Sequence, residues 1–254
     1  MEPIIIFLYI YAFILGSCIA SFMNVVIYRV PLGLNVAKGR SFCPNCHNTL
    51  KPYDMIPVFS WFILKGKCRF CKAPISPRYP IVEFMGGMLG MLCFYRFQFT
   101  WFTIIAFILS MILLAIAWID HDTMTIPDSL VIATLILAIV SMVLPGTSLI
   151  DRLIGFVCIS IPMILINVIH ADSFGGGDIK LCACLGLLMG WKELLVGMFI
   201  AVILAGIYGS YLLITKKTEA QAHMAFGPFI CFGCFLSFMY GNAILCWYLS
   251  LFGL

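Results

Sequence analysis

Charge is what this chain has least of. Only 10% of its 254 residues are Asp, Glu, Lys or Arg, while 63% are hydrophobic; soluble domains carry about a quarter charged residues. So thin a polar complement cannot cover a water-facing surface, which excludes a soluble enzyme or binding module and leaves an integral membrane protein. Acids are the scarcer sign, eleven against fifteen Lys and Arg, and between residues 29 and 80 Asp54 stands alone among nine bases. Other absences narrow the chemistry. There is no serine, histidine and acid set and no helical HExxH, so neither a serine nucleophile nor that zinc-peptidase signature is on offer. No glycine-rich nucleotide loop follows a strand pattern, no repeat or low-complexity segment occurs, and no nucleic-acid partner is expected.

What is present is a succession of apolar runs. A bilayer span needs about 20 mostly apolar residues, and eight runs qualify, near 4–28, 81–95, 100–119, 129–144, 149–169, 179–190, 193–214 and 228–250. Two or three are short. The weakest, 179–190, cannot be merged with its successor, because a rod of about 36 residues would reach about 54 Å, too long for a bilayer. Gly190-Trp191-Lys192-Glu193 is therefore predicted to be a turn. The first run opens with Glu2 rather than a basic leader and has no small-residue cleavage site, so it reads as a retained anchor. The nine bases of 29–80 place that segment in the cytoplasm. Counting crossings from there puts 120–128, 170–178 and 215–227 on the cytoplasmic side too, and Lys216 and Lys217 agree. The expected fold is an all-α polytopic bundle of about eight transmembrane helices, with an anchor at 1–28, a small cytoplasmic zinc-binding insertion at 29–80 and a transmembrane catalytic domain at 81–254.

Within the insertion, Cys43-x-x-Cys46 and, after 21 residues, Cys68-x-x-Cys71 form two knuckles at the long edge of four-thiolate zinc spacing. Some 50 residues cannot build much of a core, so a metal cross-link would supply folding free energy directly. Four thiolates close the coordination shell, which makes the expected Zn2+ structural. Disulfides are the alternative, but a cytoplasmic segment is reducing. His47 reads as solvent-facing. The other eight cysteines lie in apolar runs; Cys231-x-x-Cys234 falls at helical spacing, where buried thiols behave as small hydrophobes.

Acids at spans carry a functional expectation. Asp120, Asp122 and Asp128 end the apolar run from Trp101, and Asp178 follows Gly175, Gly176 and Gly177. Both stretches emerge on the same side by the crossing count. If Asp120 and Asp178 meet, they cannot readily both ionise and share a proton; one can then activate water while the other polarises a scissile carbonyl. The glycines would provide a hinge with access to positive φ, or let an extended substrate approach. The residues fit a second account equally well: Asp178 as an N-cap after ordinary loop glycines. Ile126-Pro127-Asp128 reads as a helix start.

The whole set closely resembles the type IV prepilin leader peptidases, membrane aspartic proteases that often also N-methylate their product. The resemblance rests on SFMNVVIYRVP from Ser21, the tetracysteine segment, IDHDTMTIPD, FGGGDIKL and FGPF from Phe226. It implies Asp120 and Asp178 as the catalytic pair, Asp120 heading the D-x5-I-P spacing. It also implies prepilin or pseudopilin precursors as substrates, with a short basic leader, a glycine before the cut and a hydrophobic helix after it. The bacterial inner membrane is the implied location, with the active site facing the cytoplasm, where Asp122, Asp128 and Asp172 would attract the leader. S-adenosylmethionine is the implied methyl donor, with Asn24, Arg29, Asp54 and Glu83 as candidate contributors. Two rivals remain: an ion-coupled transporter with acids at helix breaks, and a zinc-binding membrane scaffold.

Overall fold

A computed structural model describes residues 2–37, 39, 41–43, 45–144, 146–170, 173–215, 224–251 and 253. Lys38, Arg40, Asp172, Lys216 and Lys217 lie outside them. The described residues form no strand beyond two isolated bridges. Among them, ten α-helices follow one another: α1 Glu2–Arg29, α2 Phe59–Ile63, α3 Arg78–Phe97, α4 Trp101–Thr123, α5 Asp128–Ser141, α6 Leu149–Cys158, α7 Ser160–Ile169, α8 Gly176–Met189, α9 Trp191–Ile214 and α10 Gly227–Ser250. Among the described residues, five spans are long and apolar enough to cross a membrane: α1, α4, α6 with α7, α9 and α10. The fold is all-α and multi-pass. The chain divides into two compact units, 1–107 and 108–254.

In the first unit α1 packs along α3. The helices touch at Gly16 and Gly86, where a methyl on either would run into the facing helix; small residues let apolar helices approach closely where lipid offers no hydrophobic drive. Polar groups lock the same pair. Ser21 Oγ donates to Glu83 Oε1 at 2.7 Å, and Asn24 Nδ2 donates to the Tyr79 carbonyl at 3.2 Å.

In the second unit α8 is the central rod, packed against α5, α6, α7, α9 and α10. Every residue from Leu181 to Gly190 is buried. At 14 residues it is about 21 Å long, too short for a hydrocarbon core of about 30 Å; burial within protein is what allows so short a segment. Gly155 of α6 and Gly186 of α8 sit backbone to backbone, leaving no room for a side chain on either. The run predicted at 149–169 breaks at Ile159. Pro162 explains it: proline donates no N–H and its ring displaces the carbonyl four residues earlier. The turn predicted over four residues shrinks to Gly190 alone, at φ 93°, with Trp191 already helical. Only glycine tolerates that φ easily.

Arg152 lies in the membrane run of α6 and is 5% exposed. Its Nη1 donates to Ser141 Oγ (2.8 Å) and to the carbonyls of Leu187 (3.1 Å) and Leu188 (2.7 Å), and its Nη2 donates to the Ser141 carbonyl (3.3 Å). These carbonyls lie at the C-terminal ends of α8 and α5, where a cation also suits the helix dipole. Arg152→Met, which keeps the stem and deletes the donors, is expected to destabilise the second unit by about 3 kcal/mol, read as a lower thermal midpoint in detergent.

Candidate active site and metal centre

Asp120 stands in the last turn of α4, which ends where Met124 takes φ 52°. It is 5% exposed. Its Oδ2 accepts the backbone N–H of Gly227 at 2.9 Å. Gly227 is the first residue of α10, so the carboxylate faces a helix N-terminus, where free N–H groups and the dipole favour an anion. A methyl at 227 would lie 2.6 Å from Oδ2. The FGPF residues each have a local reason: the glycine admits the carboxylate, and Pro228 fits the first turn of α10 because no N–H is needed there.

Asp178 is the third residue of α8 and not its cap. The helix begins at Gly176 with Gly175 as N-cap, earlier than the N-cap account of Asp178 requires. The carboxylate folds back towards Gly175, where a methyl would approach Oδ2 to 3.1 Å. Its Oδ1 is buried without a hydrogen-bond partner, an expensive state for a carboxylate oxygen and one that calls for an explanation. Asp120 is close enough for its charge to act on Asp178. Two acids from distant stretches of sequence, one buried and one half-buried, therefore lie within electrostatic reach of each other.

The two motifs meet through the residues between and around them. Gly177 lies against Ile126, whose Cβ would be 2.8 Å from a methyl at 177. Lys180 Nζ reaches Asp128 Oδ1 at 2.8 Å across α5 and α8, an exposed pair. Asn167 of α7 fixes the turn before α8 from both sides, donating to the Phe174 carbonyl and accepting the Phe174 N–H, each at 2.8 Å. The expected glycine hinge is not formed in this state. Gly175 has φ −62°, and Gly176 and Gly177 are helical; their value is closeness, at Gly177 to Ile126, and open space at Gly176. Asp122 is exposed at the end of α4 and Asp128 pairs with Lys180. Sequence reasoning misses Gly227 and Asn167: a backbone donor leaves no side-chain signal, and an asparagine in an apolar run reads as a packing irregularity.

In the insertion, the sulfurs of Cys43, Cys46, Cys68 and Cys71 all lie within 4.8 Å of one another, and those of Cys43 and Cys71 are 3.8 Å apart. Tetrahedral zinc with bonds of about 2.3 Å requires sulfurs about 3.8 Å apart, so the donor set fits a metal. The two knuckles share one geometry. His47 N–H donates to the Cys43 carbonyl and Lys72 N–H to the Cys68 carbonyl. His47 (φ 56°) and Lys72 (φ 60°) both take the left-handed conformation, and a bridge flanks each knuckle, Phe42 with Thr49 and Lys67 with Pro74. Backbone N–H groups around residue 73, then Asn45, lower the Cys71 thiol to about 6 and backbone contacts lower Cys43, while Cys46, despite a lowering contact from the Asn48 backbone, is raised to about 11 by burial and the neighbouring sulfurs. Thiolates are the form a metal takes. His47 is exposed, stacked on Phe42, and outside the cluster.

Asn24, Arg29, Asp54 and Glu83 do not form an open donor pocket. Glu83 accepts Ser21 Oγ and, at Oε2, the Val58 N–H at 2.7 Å. Asn24 is bonded to Tyr79, and Arg29 Nη1 donates to the Asn35 carbonyl at 3.1 Å. Asp54 Oδ1 takes both Nε (2.8 Å) and Nη2 (2.6 Å) of Arg69. Each is engaged within the chain, and together these bonds tie α1, α3 and the insertion to one another.

Two family models match the sequence: the bacterial peptidase A24 N-terminal domain over residues 14–97 and the type IV leader peptidase family over residues 107–210. Among curated proteins, the chain is 32% identical over 240 residues to a prepilin leader peptidase/N-methyltransferase of Bacillus subtilis (strain 168), covering 94% of this chain and 97% of that one. It is 31% identical over 268 residues to a protein of the same name from Stutzerimonas stutzeri, covering 94% and 93%. The same name belongs to an Aeromonas salmonicida (strain A449) protein, 29% identical over 269 residues with 94% and 92% covered. No solved structure matches significantly.

Proposed function

Because the chain belongs to the type IV leader peptidase family, we propose that it removes the short basic leader of prepilin or pseudopilin precursors, with Asp120 and Asp178 as the catalytic pair. What supports this assignment is that buried Asp120 and half-buried Asp178, from distant motifs, lie within electrostatic reach of each other, and that one oxygen of Asp178 has no partner. One carboxylate accepts a proton from water as its oxygen attacks the carbonyl carbon, and the other, protonated, donates to the carbonyl oxygen. The resulting tetrahedral diol collapses: the C–N bond breaks, the new amine leaves with a proton from the pair, and the acid product departs. Neither metal nor covalent intermediate enters the balance. Gly176, where an added methyl would meet nothing within 4 Å, leaves room beside Asp178 for an extended backbone. The site faces the cytoplasm of the bacterial inner membrane in this reading, with 1–28 as anchor, 29–80 as the cytoplasmic metal domain and 81–254 as the peptidase domain.

The deciding experiment mixes the purified protein in lipid with a full-length prepilin. Mass spectrometry should find a product that begins after the leader glycine. Intact precursor after prolonged incubation would overturn the assignment.

The tetracysteine cluster is assigned zinc in a structural role. Elemental analysis should return one zinc per chain, and a strong chelator should lower the thermal midpoint, because the metal's binding energy is folding energy for so small an insertion. A metal-free preparation with an unchanged melt would remove the metal from this account. The name of the relatives also brings methylation of the new N-terminus, with S-adenosylmethionine as donor. Its signature is the mass gain of one methyl group on the product.

A further inference from the structure

An apolar groove of about 530 Å³ runs between α9 and α10, lined by Ile207, Tyr208 and Tyr211 on one side and Pro228, Phe229 and Phe232 on the other. That volume is within the range of ligand sites, about 300–1,000 Å³. This groove is tied to the carboxylates through α10. Pro228 and Phe229 directly follow Gly227, whose N–H holds Asp120. A line of rings leads to the same place from the other acid: Phe174, just ahead of the glycines that precede Asp178, lies 6.2 Å from Phe226, and Phe229 lies 5.8 Å from Tyr208 across the groove. The floor is aromatic and aliphatic, and Ile207 and Phe232 are exposed to whatever fills it.

We propose that this groove is the subsite that seats the first turns of the substrate's hydrophobic helix, immediately after the scissile bond. The inference rests on the leader-peptidase reading and extends it to the part of the precursor that the carboxylates do not touch. A precursor of this kind changes character at the cut, from a basic polar leader to an apolar helix. A subsite whose wall begins with the residue after the Asp120 donor and offers only apolar wall and ring faces matches the second half and rejects the first. Aromatic side chains bury large areas at low entropic cost and suit such anchoring. The groove then fixes the register of the chain: seating the helix here leaves the bond before it at the dyad, which supplies much of the rate advantage of a positioned substrate.

The test uses the full chain in lipid nanodiscs. A prepilin carrying a photoactivatable diazirine leucine in the first turns of its hydrophobic segment is mixed with the Asp178→Asn protein, irradiated and mapped by mass spectrometry. Adducts are expected on residues 204–211 of α9 and 228–232 of α10. Ile207→Trp, which fills the groove from a position 63% exposed, should abolish those adducts and raise the precursor KM about tenfold. Adducts confined to other helices, or to lipid alone, would overturn the proposal, as would a precursor KM in Ile207→Trp equal to that of wild type. Wild-type cleavage measured in parallel separates the two failures. Cleavage without groove adducts removes only the subsite, whereas absence of cleavage removes the peptidase reading beneath it.

Discussion

Replacing either carboxylate by its amide, Asp120→Asn or Asp178→Asn, is expected to lower single-turnover leader removal by about 10³-fold or more, with little change in thermal midpoint. The size follows from the chemistry: an amide can neither take the proton of water nor give one to the carbonyl, and general acid and base contributions are each worth about 10²–10⁴. Retention of fold follows from the contacts. The amide at position 120 keeps a carbonyl oxygen where Asp120 Oδ2 accepts the Gly227 N–H. The amide at position 178 keeps the shape of a side chain whose Oδ1 bonds to nothing within the protein. A purely structural role for Asp178 predicts the reverse pattern, a lowered thermal midpoint with cleavage retained. Cleavage persisting in either variant would reassign the pair, with exposed Asp122 the next residue to change.

The second large effect falls on a residue with no side chain. Gly227→Ala is expected to cost about 10²-fold in kcat while the bundle stays folded. The added methyl would stand 2.6 Å from Oδ2 of Asp120 and 2.9 Å from its Cγ, so the carboxylate must swing away and lose the N–H that orients it. Removing one preorganised donor from a reacting group typically costs about 10²–10³. Displacement of Asp120 predicts a loss in kcat with precursor KM nearly unchanged, because the groove lining lies beyond residue 227. An equal loss in both constants, or a collapsed melt, would show that Gly227 serves packing between α10 and the rest of its unit.

Much of this architecture is legible in the sequence because lipid imposes so blunt a constraint. Apolar runs, the knuckle spacing and acids at span ends each have one dominant physical cause, and α1, α4, α9 and α10 lie within a few residues of the runs predicted for them. Where the structure departs from the sequence reading, the deciding interaction is tertiary or lies in backbone geometry that a hydrophobicity count passes over. The N-cap account of Asp178 fails because Gly176 and Gly177 are helical: packing of Gly177 against Ile126 favours two further helical residues over a flexible loop. The four-residue turn at 190–193 shrinks because one glycine at positive φ reverses the chain unaided. The break at Ile159 is written in the letters as Pro162, but a count of hydrophobicity takes no account of backbone donors. Arg152 has no linear signal at all, since its partners are carbonyls of α5 and α8 that no sequence pattern connects to it.

The rod α8, enclosed by its neighbours from Leu181 onward, has a consequence for life in a changing membrane. Acyl chains that lengthen or shorten with temperature push first on segments that meet lipid, which tilt or stretch to follow the bilayer. The element bearing Asp178 meets almost none, and its far end is clamped by a guanidinium. Its height is set by protein, so turnover should stay nearly constant across vesicles of differing thickness, and a cell remodelling its lipids in the cold would keep this reaction running.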